Sequence, residues 1–295
     1  MITVGKSEHD AEALFPRRAM RRPPRTVIAT IALLALAAGC TRVDVGMPVA
    51  VHAPAAPTRS VSPSQSAFTL TSRTLELGRS VRGRPLVLEL FGHGPERLFV
   101  FGGIHGSEPT SAHIAHELVA YLRAHPRALV GRTIGILAEA NPDGLAQRWR
   151  HNANGVDLNR NFPARNWQRT EGRGRGHGSR PASEPETRAI MAAMDILRPH
   201  RVLSIHAAGR GRHCNNYDGP ARELAAVMTA ENGYPYKASI GYPTPGSFGS
   251  WSGIDRAVPT ITLELPRDLT GPECWQENRA ALLAFIDADG LTTAR

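Results

Sequence analysis

Five short apolar runs, at residues 86–91, 98–104, 133–138, 201–205 and 260–265, narrow most what this chain can fold into. Some alternate and some are continuous, and all read as strands of a sheet covered by other elements. Helical patterns lie between them. Pro109 suits a helix N-terminus and is followed by Ile114, Leu118 and Leu122 at spacing four. Ser183 and Glu186 have the spacing of a capping box ahead of Ile190, Met194 and Leu197, while Leu282, Leu283 and Ile286 mark a last helix. Strands alternating with helices predict a three-layer α/β sandwich.

Three of the runs end in a metal ligand or a carboxylate. They are GGIHGSE with His105 and Glu108, VLSIH with His206, and TITLELP with Glu264. A catalytic zinc takes three protein ligands, often two His and one Glu, and keeps a fourth position for water. His105 and Glu108 supply a close pair of candidate ligands and His206 a distant one, which predicts one zinc per chain. A bound water also needs a base to take its proton, and Glu264 is the candidate. Each fragment alone is weak, since a lone His after an apolar run is more often a core or surface histidine. The combination is stronger because all three fall where a buried strand ends, the place where open α/β sheets bind ligands.

The N-terminal segment has a different character. Arg21, Arg22 and Arg25 precede an almost unbroken apolar run from Val27 to Ala38, followed by Gly39 and Cys40. This reads as a secretory signal over 1–39, too short to span a bilayer comfortably, with Met20 a candidate true start. The small residues before Cys40 resemble a lipobox, which implies cleavage there and lipidation of the thiol. An uncleaved signal anchor, or an ordinary signal with an incidental cysteine, is the alternative. Residues 41–69, rich in Pro, Ala, Ser and Thr, read as a disordered tether, so the expected protein is a membrane-anchored lipoprotein of the cell envelope. The folded domain is expected over 70–290, with 291–295 a tail. Loss of residues 1–39 removes six basic and three acidic side chains, so the formal charge falls from +9 to +6. No aromatic interleaving or long basic helix accompanies that charge, which argues against nucleic acid. Cys214 and Cys274 are the other two cysteines, and outside the cytoplasm they could pair.

Three loops carry further chemistry. NPDG at 141–144 reads as a turn. RWRHNANGVDLNRNFP follows, with Arg148, Arg150, Asn159 and Arg160 in a stretch too polar for a core. Guanidinium groups near a metal either polarise a scissile carbonyl or pair with a substrate carboxylate. GYPTPGSFGSWSG, at 241–253, reads as a shaped surface loop whose Tyr242, Phe248 and Trp251 could wall a pocket. The Gly/Arg-rich segment 164–183 reads as a flexible, solvated insertion. No serine nucleophile elbow competes, and GRGRGHG follows no strand, so it is not a dinucleotide fingerprint.

With these motifs in hand, the sequence resembles the zinc carboxypeptidase family of the pancreatic type, and within it the bacterial murein peptide amidases. The matching strings are GRSVRGRPL, GGIHGSEP, NPDG, NANGVDLNRNFP, SEPET, TPGSFGSW and the strand ends at His206 and Glu264. The resemblance implies an α/β/α sandwich with a mixed central sheet. It implies zinc ligands His105, Glu108 and His206, the general base Glu264, and Arg150 as the group that steadies the oxyanion. It further implies that Asn159 and Arg160 hold the substrate's terminal carboxylate, and that Tyr242 lies near the scissile bond. For this subgroup the implied reaction is exopeptidase cleavage of cell-wall peptides at the γ-D-glutamyl to meso-diaminopimelate bond. A metallocarboxypeptidase of ordinary peptides, a related zinc deacylase and a non-catalytic wall-binding lipoprotein are the alternatives. Glu264 and Arg150 speak against the last, since binding alone needs neither a base nor an oxyanion partner.

Overall fold

The computed structural model describes residues 71–170 and 176–291. The N-terminal apolar segment, Cys40, the 41–69 stretch and residues 292–295 lie outside the described residues. The strands are β1 (Ser72–Arg79), β2 (Pro85–Gly92), β3 (Glu96–Phe101), β4 (Arg132–Leu137), β5 (Arg201–Ala208), β6 (Cys214–Asp218), β7 (Tyr236–Lys237) and β8 (Thr260–Pro266). They form one mixed sheet in the spatial order β1, β2, β4, β3, β5, β8, β6, β7. The central four, β4, β3, β5 and β8, are parallel, while β2 and β6 flank them antiparallel.

Helices α1 (Pro109–Ala124), α2 (Pro142–Gln147), α3 (Pro185–Leu197), α4 (Arg222–Asn232) and α5 (Gly271–Asp287) complete the layers. On one face, Ile114 and Leu118 of α1, Met228 of α4 and Phe285 of α5 share a core with Leu98, Leu203 and Ile261. On the other, α3 and the irregular chain bearing Phe162, Phe248 and Trp251 cover Phe99, Phe101 and Val202. β3 shows why its run is continuously apolar: Leu98 and Val100 enter the first core, Phe99 and Phe101 the second, and all four are fully buried. Each such side chain contributes about 1.5–3 kcal/mol of burial. The chain is therefore the expected α/β/α sandwich.

Arg201 crosses this core at the start of β5. Its Nε donates to Phe285 O at 2.8 Å and its Nη2 to Ile286 O at 2.7 Å, while Nη1 pairs with Glu96. A buried guanidinium is tolerable only when paired this fully, and here it also meets the negative end of α5.

All five predicted strands are present with shifted ends. β3 stops at Phe101 because Gly103 turns at φ +67° and a Cβ on Gly102 would lie 2.4 Å from Ser111 O. NPDG is more than a turn: Asn141 caps α2, its Oδ1 accepting from Gly144 N at 2.9 Å. The expected Ser183–Glu186 capping box does not form. Glu184 is the N-cap of α3, and Glu186 instead accepts from Val81 N and Asn152 Nδ2. The box belongs to α5, where Thr270 and Glu273 cap reciprocally.

Candidate metal centre and active site

From β3 the chain passes through α1 to β4 on one side, whereas the strand beyond β5 in the sheet is β8 on the other. A crevice therefore opens at the carboxyl ends of β3 and β5, the usual ligand position of such sheets. His105 and Glu108 lie in the turn between β3 and α1, with Glu108 as the N-cap of α1, and His206 lies on β5. That turn packs flush on α2, since a Cβ on Gly106 would lie 1.9 Å from the backbone of Gly144.

His105, Glu108 and His206 are buried, and one donor atom from each lies within 4.8 Å of the others. His206 Nδ1 is 3.2 Å from His105 Nδ1 and 3.3 Å from Glu108 Oε2, and His105 Nδ1 is 3.1 Å from Glu108 Oε1. His105 Nε2 donates to Asp157 Oδ1 at 3.0 Å, which leaves the Nδ1 lone pair facing the cluster. Two ring nitrogens and a carboxylate converging in this way repel or compete unless a cation lies among them. Ligand bonds of about 2.0–2.1 Å in tetrahedral array put donors about 3.3 Å apart, so the set fits one metal ion with nitrogen and oxygen ligands.

Surrounding charges act on the same atoms. Burial opposes protonation of His105, yet Glu108 and Asp157 push its pKa up to about 9. Burial would raise the Glu108 carboxyl, but His105 and His206 hold it well below the ordinary value. Asp157 is likewise held low against its burial by His105, Arg150 and Arg160. Arg150 bridges the two carboxylates, with Nε to Asp157 Oδ2 at 3.0 Å and Nη1 to Glu108 Oε1 at 3.3 Å. Glu264 stands opposite His206 in the β5–β8 register. Burial pushes its carboxyl upward, His206 pulling down and Glu108 adding to the rise.

A cavity of about 640 Å³ opens over these groups, and Arg150, Asn159, Arg160, Tyr242 and Glu264 all line it. Asn159 Oδ1 accepts from Phe248 N at 2.9 Å, so its Nδ2 is the group left for a ligand. Arg160 Nη1 is turned onto Asn159 O at 2.6 Å. Tyr242 is half exposed.

Several expectations change here. Phe248 and Trp251 do not wall the cavity: they are buried in an aromatic cluster with Phe101 and Phe162, and Ser250–Ile254 forms a π-helical turn. The described flanks of 164–183 are mostly exposed or half-buried, yet they are pinned to neighbouring segments. Asn166 Oδ1 accepts from Gly246 N, and Asn161 Nδ2 donates to His177 O and Arg180 O, tying the two flanks to adjacent loops. Cys214 and Cys274 are free and buried, Cys214 opposite Glu264 on β6 and Cys274 on α5 with its Sγ toward Pro266 O.

Sequence reasoning missed two site residues. Asp157 sits between Val156 and Leu158 in NANGVDLNRNFP, where a carboxylate flanked by buried apolar residues was the available signal. Arg267 donates from Nη2 to Glu108 Oε1 and from Nε to Ala207 O, both at 2.8 Å, and nothing in its sequence context marks it.

The geometry has close counterparts among known proteins. A family model described as zinc carboxypeptidase matches residues 65–219. Murein peptide amidase A of Escherichia coli (strain K12) is 35% identical over 206 residues, covering 65% of this chain and 81% of its own. The Vibrio campbellii protein of that name is 32% identical over 218 residues, covering 68% and 82%. In three dimensions, the crystal structure of a murein-tripeptide amidase from Escherichia coli O157 superposes with a TM-score of 0.56 at 32% identity, over 72% of this chain and 91% of that one. Bovine thrombin-activatable fibrinolysis inhibitor shares the fold, with a TM-score of 0.62 at 19% identity over 75% and 89%. With a buried His-Glu-His cluster at the sheet's switch point and a family match over more than half its length, the chain belongs to the zinc carboxypeptidase family of hydrolases.

Proposed function

We propose that this protein is a zinc-dependent exopeptidase of cell-wall peptides, acting at the γ-D-glutamyl to meso-diaminopimelate bond. The carrying observation is sequence identity: 35% with the murein peptide amidase, against 30% with human carboxypeptidase N and 26% with human carboxypeptidase D. One zinc per chain, held by His105, Glu108 and His206, would supply a water of lowered pKa and polarise the scissile carbonyl. Glu264 takes the proton from the attacking water and returns it to the departing amine, a role suited to a carboxyl raised by burial. Arg150 faces the charge that develops on the carbonyl oxygen. Asn159 Nδ2 and Arg160 hold the free carboxylate of the leaving residue, which limits cleavage to a chain end.

Incubation with L-Ala-γ-D-Glu-meso-diaminopimelate and, in parallel, with ordinary C-terminal peptides tests the reading. Release of diaminopimelate is expected to dominate; turnover of ordinary peptides alone would move the assignment to a general carboxypeptidase. We also propose that Cys40 is lipidated and anchors the domain in the cell envelope. Cys40→Ser is expected to release the protein from membranes or block its processing, whereas unchanged retention with the apolar segment attached would favour a signal anchor.

A further inference from the structure

The cavity runs in two directions from the His206–Glu264 pair, and sheet register tells them apart. β5 and β8 are parallel, so Ser204 stands beside Thr262, His206 beside Glu264 and Ala208 beside Pro266. The carboxylate clamp lies towards the start of β8. Phe248 N–H binds Asn159 Oδ1, and the next residue, Gly249, packs on Asp218, which stands opposite Thr260. In the other direction, at the ends of both strands, the lining is Ala207, Ala208, Gly209, Arg212 and Arg267. A leaving residue held in the clamp therefore places the acyl residue of the scissile bond on this second side.

That side is roomy and positive. Ala207, Ala208 and Gly209 put little bulk over the strand ends, and two guanidinium groups face the space they leave. Arg267 is fixed by two bonds, Nε to Ala207 O and Nη2 to Glu108 Oε1, both at 2.8 Å, yet its side chain is 45% exposed. Its Nη1 has no partner among the described residues. Arg212 belongs to the turn joining β5 to β6, where its backbone N–H donates to Gly209 O at 3.0 Å. Neighbouring Arg210 is turned onto Asp268, whereas no carboxylate pairs with Arg212 among the described residues. Of the acidic residues lining the cavity, Asp218 lies on the clamp side, Glu264 at the centre, and Glu108 is already bonded to Arg150 and Arg267. The positive charge on the acyl side is thus left for a ligand.

We infer that Arg267 and Arg212 form a second anion subsite, which binds a free carboxylate on the acyl residue and makes cleavage depend on that carboxylate being unamidated. The inference rests on the function proposed above and adds to it the residues that read the acyl side and a chemical state of the substrate that blocks the reaction. A γ-linked glutamyl residue carries its α-carboxylate on the third carbon from the scissile carbonyl; an ordinary α-linked residue has no carboxylate there. A guanidinium bonded to Glu108 stands beside the scissile carbonyl, and its open N–H edge suits a planar carboxylate on such a branch. A carboxamide is uncharged and turns an N–H2 group toward those donors. Arg150 and Arg160 are already engaged, by Asp157 and Glu108 and by Asn159 O. Arg267 and Arg212 are specificity residues, and the chemical step stays with Glu264.

The test uses the full-length, zinc-loaded protein and two substrates, L-Ala-γ-D-Glu-meso-diaminopimelate and the same peptide with the glutamate α-carboxylate converted to the carboxamide. Unmutated protein is expected to prefer the acid by about ten to a hundredfold in kcat/KM, the scale of a charged hydrogen bond. Arg212→Ala should lower that preference severalfold with zinc content and thermal midpoint retained. Arg267→Gln should bring it close to unity; any loss of turnover arising at Glu108 is shared by both substrates and cancels in the ratio. Equal cleavage of acid and amide by the unmutated protein overturns the inference and leaves the proposed reaction standing, and so does a preference that survives in Arg267→Gln. Should Arg267→Gln fail to fold or to hold zinc, Arg212→Ala decides, an unchanged preference overturning the inference. If neither γ-glutamyl substrate is turned over, the proposed reaction fails instead. The subsite is then judged by calorimetry on the same protein, where tighter binding of L-Ala-D-Glu than of L-Ala-D-isoglutamine, lost in Arg212→Ala, supports it and equal affinity overturns it.

Discussion

Glu264 and its neighbours show how one type of residue is given different tasks by placement. Glu108 and Asp157 are held ionised by His105, as a ligand and an orienting carboxylate require, whereas burial pushes the Glu264 carboxyl upward. Glu264→Gln keeps the shape and removes the proton transfer. Zinc content is expected to hold while kcat falls at least about a hundredfold; near-normal turnover would mean that another group is the base. Asp218 gives a stability prediction with a definite sign. Its pKa is raised from 3.8 to about 6 in the folded state, so protonation favours folding. That contribution is complete below about pH 4 and is lost as pH rises through 6, amounting to at most about 3 kcal/mol. Asp218→Asn should therefore raise the midpoint of chemical denaturation at pH 7.5 and leave it nearly unchanged at pH 3.5, and an equal effect at both would exclude titration as the cause. The residues nearest the metal were the most legible in the sequence, because a ligand at a strand end interrupts an apolar run. Asp157 interrupts only the pair Val156 and Leu158, and Arg267 interrupts nothing, so their roles depend on which segments the fold brings together.

At the scale of elements, strands with one or two apolar faces announce themselves, and those that face water or substrate do not. β2, β3, β4, β5 and β8 were readable from their runs, but β1 is an exposed strand, SRTLELGR, with little apolar periodicity. β6 reads CNNYD because Cys214, Asn216 and Asp218 line the cavity while Asn215 bonds Asn232 and Tyr234 O, so no apolar alternation is left to reveal it. The π-helical turn at 250–254 was misread as surface loop for a related reason, since its glycines permit close packing on Asp218. Close packing also governs the turn from β3 to α1. A Cβ on Gly106 would run into the backbone of Gly144, which no rotamer change can relieve. Gly106→Ala must therefore push the turn away from α2, and His105 and Glu108 move with it. Zinc affinity is expected to fall by at least about tenfold, the scale seen when groups that orient ligands are disturbed, with circular dichroism little changed. Native affinity in a soluble Gly106→Ala protein would show that the turn is set elsewhere.

For the molecule as a whole, the proposed zinc site joins the two halves of the sheet. His105 and Glu108 follow β3, whose connection leads to β4, while His206 belongs to β5, which pairs with β8. The donors that repel or compete in the protein alone are brought to this crevice only in the folded state, so zinc binding and folding are linked. A ligand present at a hundred times its Kd stabilises by about 2.7 kcal/mol. In a domain of this size each kcal/mol moves the thermal midpoint by about 2–4 °C, so exhaustive chelation should lower it by roughly 5–10 °C. His206→Ala should begin near the lower midpoint and respond little to chelator. Because the site spans the switch point of the sheet, near-UV and far-UV circular dichroism should move together on chelation. A shift confined to the near-UV signal would mean that the metal orders only the crevice, and an unchanged midpoint after verified zinc removal would mean that the donor cluster is held by packing alone.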